Sequence, residues 1–294
     1  MSSVVILPIV MSKRCYSTPG NILFITGTDT GVGKTVLTSL LVAHLAAAGR
    51  HVFAMKPFCS GGLQDAEILY EAQKRRLPIS QISPFHFEPA MAPLLAARQC
   101  GRIIHFLDVL EKITTLANRC EQLLVEGAGG LLSPLGEKYS AVELIASLQC
   151  PVVVVAANRL GTVNHVLLTL AALRRIPALQ CKVVLMNARK PDASARFNKA
   201  LIRQFAAEEV FSLPYLGRRA SCPDIIEESS RNLKKTLAAV AEVRILSTAL
   251  RKNCAGGKAG GQRKKENNSL AGIRKKSKAI HRFSKQVARS RKRA

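Results

Sequence analysis

The sequence predicts an α/β fold, a mostly parallel sheet with helices on both faces, and three observations point to it. From Asn21 onward, short apolar runs of strand length alternate with stretches of helical periodicity, the habit of a parallel sheet covered on both sides. Several runs, Pro151–Ala156 above all, are strongly β-branched, as buried strands are. The first run, Ile22-Leu23-Phe24-Ile25, opens through Gly27-Thr28-Asp29-Thr30-Gly31-Val32-Gly33-Lys34-Thr35 into a helical pattern, Val36 to Ala48. Strand, glycine-bearing turn and helix form the context of a phosphate-binding loop. Backbone N–H groups left unpaired at the helix start point into the turn, and the helix dipole adds partial positive charge there. Lys34 is placed to reach terminal phosphates, and Thr35 to offer its hydroxyl to Mg²⁺. Five residues, Thr28 to Val32, separate the first glycine from Gly-Lys-Thr, one more than the common spacing. The architecture is P-loop NTPase-like, and the ligand is a nucleoside triphosphate.

Each element follows in order. Ile22–Thr26 is the first strand, and Thr35–Ala48 a helix stopped by Gly49. His51–Met55 is the second strand, ending at Lys56-Pro57. Asp65–Arg76 is a helix with Ala66, Leu69 and Ala72 inward. Pro84 to Pro93 is a proline-punctuated loop, and Leu94–Arg98 begins a short helix. Phe106–Arg119 is amphipathic through Leu107, Leu110, Ile113 and Leu116. Leu123–Val125 is the third strand, running into Glu126-Gly127-Ala128-Gly129-Gly130. Helix Val142–Leu148, strand Pro151–Ala156, helix His165–Arg174, strand Lys182–Met186 and helix Asn198–Glu208 follow. Val210–Leu213 is the last strand, and Asn232–Leu250 a closing helix.

Composition bounds the rest. The net charge of +25 is uneven: residues 251–294 hold 16 Lys/Arg against one acidic residue, Glu266. That tail has too few apolar residues to offset the entropy of ordering, so disorder is expected there. It also lacks interleaved aromatics (Phe283 alone) to stack on bases, which argues against nucleic acid as a partner. The segment 1–20 reads as a flexible extension with a ragged start, Met11 being the preferred initiator, and it lacks the charge order of a secretory signal. No apolar run approaches a membrane span. The eight cysteines are scattered without a Cys-x-x-Cys pair, which fits free thiols in a cytoplasmic protein and neither a zinc nor a redox site. The folded part is expected over residues 21–250.

Ligands of open α/β sheets gather outside the carboxyl ends of the strands. The strand ends here deliver the P-loop, Lys56, Glu126, Asn158 and Asn187 in turn. Lys56 is followed by Pro57 and the small-residue turn Cys59-Ser60-Gly61-Gly62, where a compact ammonium would neutralise phosphate or carbamate oxygens. Glu126, before a glycine run, suits a Mg²⁺ carboxylate. Asp65 is a helix N-cap or a second such carboxylate. No protein nucleophile stands out.

These stretches together resemble the dethiobiotin synthetase family. The matching residues are Gly27 to Thr35, Lys56-Pro-Phe-Cys-Ser-Gly61, Val125-Glu-Gly-Ala-Gly-Gly130, Leu160-Gly-Thr-Val-Asn-His165, Met186-Asn187 and Pro214-Tyr215-Leu216. They occur in the family's order across residues 21–250. The resemblance implies an ATP-dependent ligase that forms carbon–nitrogen bonds, closing the ureido ring of dethiobiotin from 7,8-diaminononanoate and CO₂ in biotin synthesis. It implies that Lys34 and the amides of Gly31, Val32, Gly33 and Thr35 hold ATP, and that Thr35, Asp65 and Glu126 bind Mg²⁺. It makes Lys56 and Lys34 catalytic, Ser60 a substrate contact, and Gly127, Ala128 and Gly129 part of the nucleotide site. Asn187 with Pro214, Tyr215 and Leu216 would read the adenine. The helix start Gly161-Thr162-Val163-Asn164 of a partner subunit would hold the diamine's carboxylate, which implies a homodimer with shared active sites.

Departures from the family's pattern are a short Lys56–Asp65 loop, Gly31 at an often acidic position, and poor alignment after Leu216, where Asp224 is a candidate base or ribose contact. The basic tail has no family counterpart. The alternative is a partition-type ATPase (ParA/MinD-like) binding DNA through that tail. Such ATPases carry a lysine early in the motif where this chain has threonine, aspartate and glycine, and Lys56-Pro-x-x-Ser is unexplained by them.

Overall fold

A computed structural model describes residues 20–242. The sheet is built from β1 (Ile22–Gly27), β2 (Val52–Met55), β5 (Gln122–Glu126), β6 (Val152–Ala157), β7 (Cys181–Met186) and β8 (Glu209–Leu213). Its order is β2-β5-β1-β6-β7-β8, and every neighbouring pair is parallel. All six strands therefore end on one edge. The expected strands are present within a residue or two at each end. β1 is buried at every position, which explains why its sequence is a continuous apolar run instead of an alternating one.

The helices are α1 (Lys34–Ala47), α2 (Gln64–Ala72), α3 (Ile79–Ile82), α4 (Pro93–Gln99), α5 (Phe106–Ala117), α6 (Ala141–Leu148), α7 (Thr162–Leu173), α8 (Ala195–Phe205), α9 (Pro223–Asn232) and α10 (Lys234–Ala241). Chain order and right-handed crossovers put α1 on one face and α5, α6, α7 and α8 on the other. α2, α9 and α10 pack against α1. β1 thus sends its chain to one face, while its neighbours β5 and β6 send theirs to the other. A crevice opens above β1 at the carboxyl edge, the usual place for a ligand in such a sheet.

Several features differ from the sequence expectation. α3 falls where no element was expected, α7 begins at Thr162 instead of His165, and α8 spans Ala195–Phe205 instead of Asn198–Glu208. The segment read as a proline-punctuated loop contains β4 (Phe85–Phe87), which pairs with β3 (Phe58–Ser60) as a small parallel sheet. Phe58 and Phe85 stack at 5.2 Å, so aromatic burial holds three residues that the flanking prolines disguise. α2 stops at Ala72 instead of Arg76, because Lys74 and Arg75 both adopt positive φ. α9 was not expected: it starts on Pro223 at its first turn, and it buries Ser229 and Ser230 beside Ile226, so few apolar residues mark its inner face. The closing helix begins at Lys234, not Asn232, and is described to Ala241. The remainder of that expected helix, the tail 251–294 and the segment 1–19 lie outside the described residues.

Candidate functional site

The site grows from the loop between β1 and α1. Gly33 caps α1 with φ 98°, a left-handed conformation that side chains rarely adopt. A Cβ there would also sit 3.1 Å from the Met186 side chain, so the end of β7 closes against the loop. Lys34 folds back across the turn, donating to the carbonyls of Asp29 (2.8 Å) and Gly129 (2.9 Å). The loop and the glycine run after β5 are thereby tied by one ammonium. Burial, and next the positive charge of Lys56, bring the Lys34 pKa down to about 8.

Beneath that loop lies a buried charge cluster. Glu126, at the end of β5, is fully buried. Its Oε1 accepts from Thr35 Oγ1 (2.8 Å) and from Lys56 Nζ (2.9 Å). Lys56 also donates to Asp65 Oδ2, so its ammonium is held between two carboxylates. Burial alone would lower the Lys56 pKa, but Glu126 and then Asp65 outweigh it and hold the group well above the ordinary lysine value. Burial would likewise raise Asp65, and the Lys56 charge reverses that, leaving the carboxyl below its usual range. Asp65 is not the helix N-cap; Leu63 holds that position, and Asp65 lies in the first turn of α2.

Four chain segments thus bring together Lys34, Thr35, Lys56, Asp65, Glu126 and Gly129. Among the described residues, Glu126 Oε2 is a buried oxygen with no hydrogen-bond partner. An orphaned carboxylate oxygen, a threonine hydroxyl and a second carboxylate beside a phosphate loop match how Mg²⁺ is held, by one or two acids plus substrate oxygens. No cluster of three or more His, Cys, Asp or Glu occurs among the described residues, so a cation here would draw on few protein groups.

The other expected residues fall around this centre. Asn187 directly follows β7, and its amide N–H donates to the Leu213 carbonyl (3.1 Å), which sets it beside Pro214-Tyr215-Leu216. Gly161 caps α7 at φ 89°, and Val163 and Asn164 supply first-turn amides that no helical carbonyl can accept from. No hydrogen bond joins Gly161–Asn164 to the Lys56 cluster within the described chain. Ser60 ends β3 and gives its hydroxyl proton to the Met91 carbonyl (2.6 Å), keeping its lone pairs. Asp224 sits in the first turn of α9, paired with Arg219 at 3.1 Å. Sequence reading missed the Asp29 carbonyl, since a backbone acceptor leaves no residue-type signal, and it missed Asn198, which lies against Asn158 across 40 positions of chain.

Residues 21–228 match the family model described as an AAA domain. An ATP-dependent dethiobiotin synthetase of Anaeromyxobacter sp. (strain Fw109-5) is 42% identical over 221 residues, covering 74% of this chain and 96% of that protein. The chain belongs to the dethiobiotin synthetase family. A second member, from Bacillus subtilis (strain 168), is 34% identical over 72% of this chain and 92% of its own length. Among solved structures, MinD of Aquifex aeolicus is similar at 14% identity and a TM-score of 0.48, covering 82% of this chain and all of that one. A ParA family ATPase from Chlorobium tepidum TLS is similar at 15% and 0.46, covering 81% and 100%. Those last two values bear on neither substrate nor partner.

Proposed function

We propose that this member of the dethiobiotin synthetase family carries out the ATP- and Mg²⁺-dependent carboxylation and ring closure of 7,8-diaminononanoate. The observation that carries the proposal is the hydrogen-bonded cluster of Thr35, Lys56, Asp65 and Glu126 beneath a phosphate loop whose Lys34 is tied to the Gly129 carbonyl after the same strand. In the reaction, one substrate amine adds to CO₂ and loses a proton, giving a carbamate. A carbamate oxygen takes the γ-phosphoryl group and ADP leaves. The second amine then attacks the carbonyl carbon and loses a proton, the C–O bond to phosphate breaks with release of inorganic phosphate, and the ureido ring closes.

Negative charge accumulates on the carbamate and the migrating phosphoryl group, and preorganised cations beside it are the largest available source of rate. Lys34 and the Gly31–Thr35 amides bind the phosphates. Lys56, kept protonated by its two carboxylates, serves as a fixed cation and not as a base. Mg²⁺, when held by Thr35, Asp65 and Glu126, supplies charge neutralisation on the phosphate oxygens. Ser60 contacts the diamine, and Asn187, Pro214, Tyr215 and Leu216 contact the adenine. Gly161–Asn164 of a second copy would take the substrate carboxylate at a helix start, making the protein a homodimer. Among the described residues, no helix is long and apolar enough to cross a membrane, and the proposed location is the cytoplasm.

The test is direct. Purified protein is incubated with 7,8-diaminononanoate, ¹³C-bicarbonate, Mg²⁺ and ATP, and the products are followed by mass. Dethiobiotin carrying one ¹³C is expected; ATP hydrolysis without labelled product overturns the assignment.

A further inference from the structure

At the carboxyl ends of β6 and β7, three asparagines form a relay running from the α8 side of the sheet toward the phosphate loop. Asn158 and Asn198 are buried, and Asn187 is half-buried. Asn198 Nδ2 donates to Asn158 Oδ1 (2.9 Å), and Asn158 Nδ2 donates to Asn187 Oδ1 (2.7 Å). An amide could in principle turn over and reverse every donor in such a chain. Two backbone carbonyls forbid it here. Asn158 Nδ2 also faces the Ala195 carbonyl (3.0 Å), and Asn198 Nδ2 the Arg159 carbonyl (3.2 Å). A carbonyl only accepts, so both side-chain nitrogens are fixed where they stand. Reversal of either would set two oxygens against each other in a buried place, which is strongly unfavourable.

The consequence falls on Asn187. Its oxygen is turned toward Asn158, so its Nδ2 is the group left to face outward. Among the described residues nothing accepts from that Nδ2. Its neighbour Met186 packs against Gly33, which places Asn187 next to the nucleotide loop.

We infer that Asn158 and Asn198 are positioning residues that fix the polarity of the Asn187 amide, so that the site offers the nucleotide base a hydrogen-bond donor. The ligand feature selected is then a ring-nitrogen acceptor of adenine. This rests on the reading of Asn187 as a base contact. Neither residue touches nucleotide; both act through Asn187.

Binding calorimetry tests it without requiring turnover. The probes are ATP, 7-deaza-ATP and 1-deaza-ATP, each lacking at most one ring acceptor, and tripolyphosphate, which has no base. The wild-type protein is expected to bind one deaza analogue about tenfold more weakly than ATP, in line with a well-placed base contact. Asn158→Ala frees the Asn187 amide to turn and should shrink that gap to under threefold, with tripolyphosphate affinity unchanged. Asn198→Ala should shrink it less, since the Ala195 carbonyl still anchors Asn158. A role confined to folding would weaken tripolyphosphate as well, and that result overturns the inference. It is equally overturned if Asn158→Ala stays folded and keeps the full gap, or if the wild type discriminates against neither analogue. Absence of labelled dethiobiotin with the discrimination intact would sink the ligase assignment alone and leave the relay standing.

Discussion

Replacing Lys56 by methionine separates its structural role from its chemical one. The ammonium lies 2.9 Å from Glu126 Oε1, with the Glu126 side chain 0% exposed and that of Lys56 8%. Two unit charges at that distance attract by about 6 kcal/mol at an effective dielectric near 20. Desolvating the pair offsets much of that, but removing one partner leaves the other buried and uncompensated, at about 3–5 kcal/mol. Lys56→Met should destabilise the nucleotide-free protein by that amount, and Glu126→Gln by the lower end of it, since Lys56 keeps Asp65 as a partner. The double variant, in which only the half-exposed Asp65 is left without its partner, should lose little more than either single one, giving a coupling of about 3 kcal/mol. Urea unfolding of the four proteins at pH 7.5 measures it. Single-variant losses under 1 kcal/mol, or strictly additive ones, would refute the view of Glu126 as a buried charge dependent on Lys56.

Further expectations follow from the same cluster and its surroundings. Lys56→Gln should lower kcat by about a hundredfold or more while ATP affinity stays within threefold, since the lost cation acts on developing charge; steady-state kinetics with equilibrium binding checks this. Lys34, brought to about 8 without nucleotide, should be fully protonated once phosphates surround it. ATP binding should then take up little proton at pH 7 and most of one by pH 9, with affinity falling as pH rises through that range. Calorimetry in two buffers of different ionisation enthalpy reads the uptake directly. Gly33→Ala forces φ 98° on a side chain facing Met186 and should abolish nucleotide binding at a stability loss of about 1–3 kcal/mol, measured by fluorescent-nucleotide titration and thermal melting. Removing residues 251–294 should leave ring-closure turnover within twofold of the full chain.

Much of this was legible because it is local. Ile22–Gly27, the glycine turn and Lys34-Thr35 are contiguous, and period and residue type identify them without any tertiary knowledge. Lys56 and Glu126 were found because a charged residue ending an apolar strand is unusual wherever it occurs. Their ion pair was not legible, since it joins β2's end to β5's and depends on those strands being neighbours although β3, β4 and four helices separate them along the chain. β4 escaped because three residues between prolines carry no measurable period, and its strand character comes from Phe58, 27 positions earlier, stacking on Phe85. α9 escaped because it buries serines, so its inner face does not look apolar. Asn198 had no signal of its own; only Asn158 gives its amide a purpose.

The order of the strands also has a consequence for synthesis. Among the described residues β1 is the first strand to leave the ribosome, yet both of its partners come late: β5 spans residues 122–126 and β6 152–157. At ~10 residues per second, roughly 10 seconds pass before either flank exists. For that interval the nascent chain carries Ile22-Leu23-Phe24-Ile25 with both hydrogen-bonding edges open, a segment suited to pairing with a stranger. The strand that holds the catalytic loop at the centre of the finished sheet is therefore also the segment in greatest need of shelter while the protein is being made.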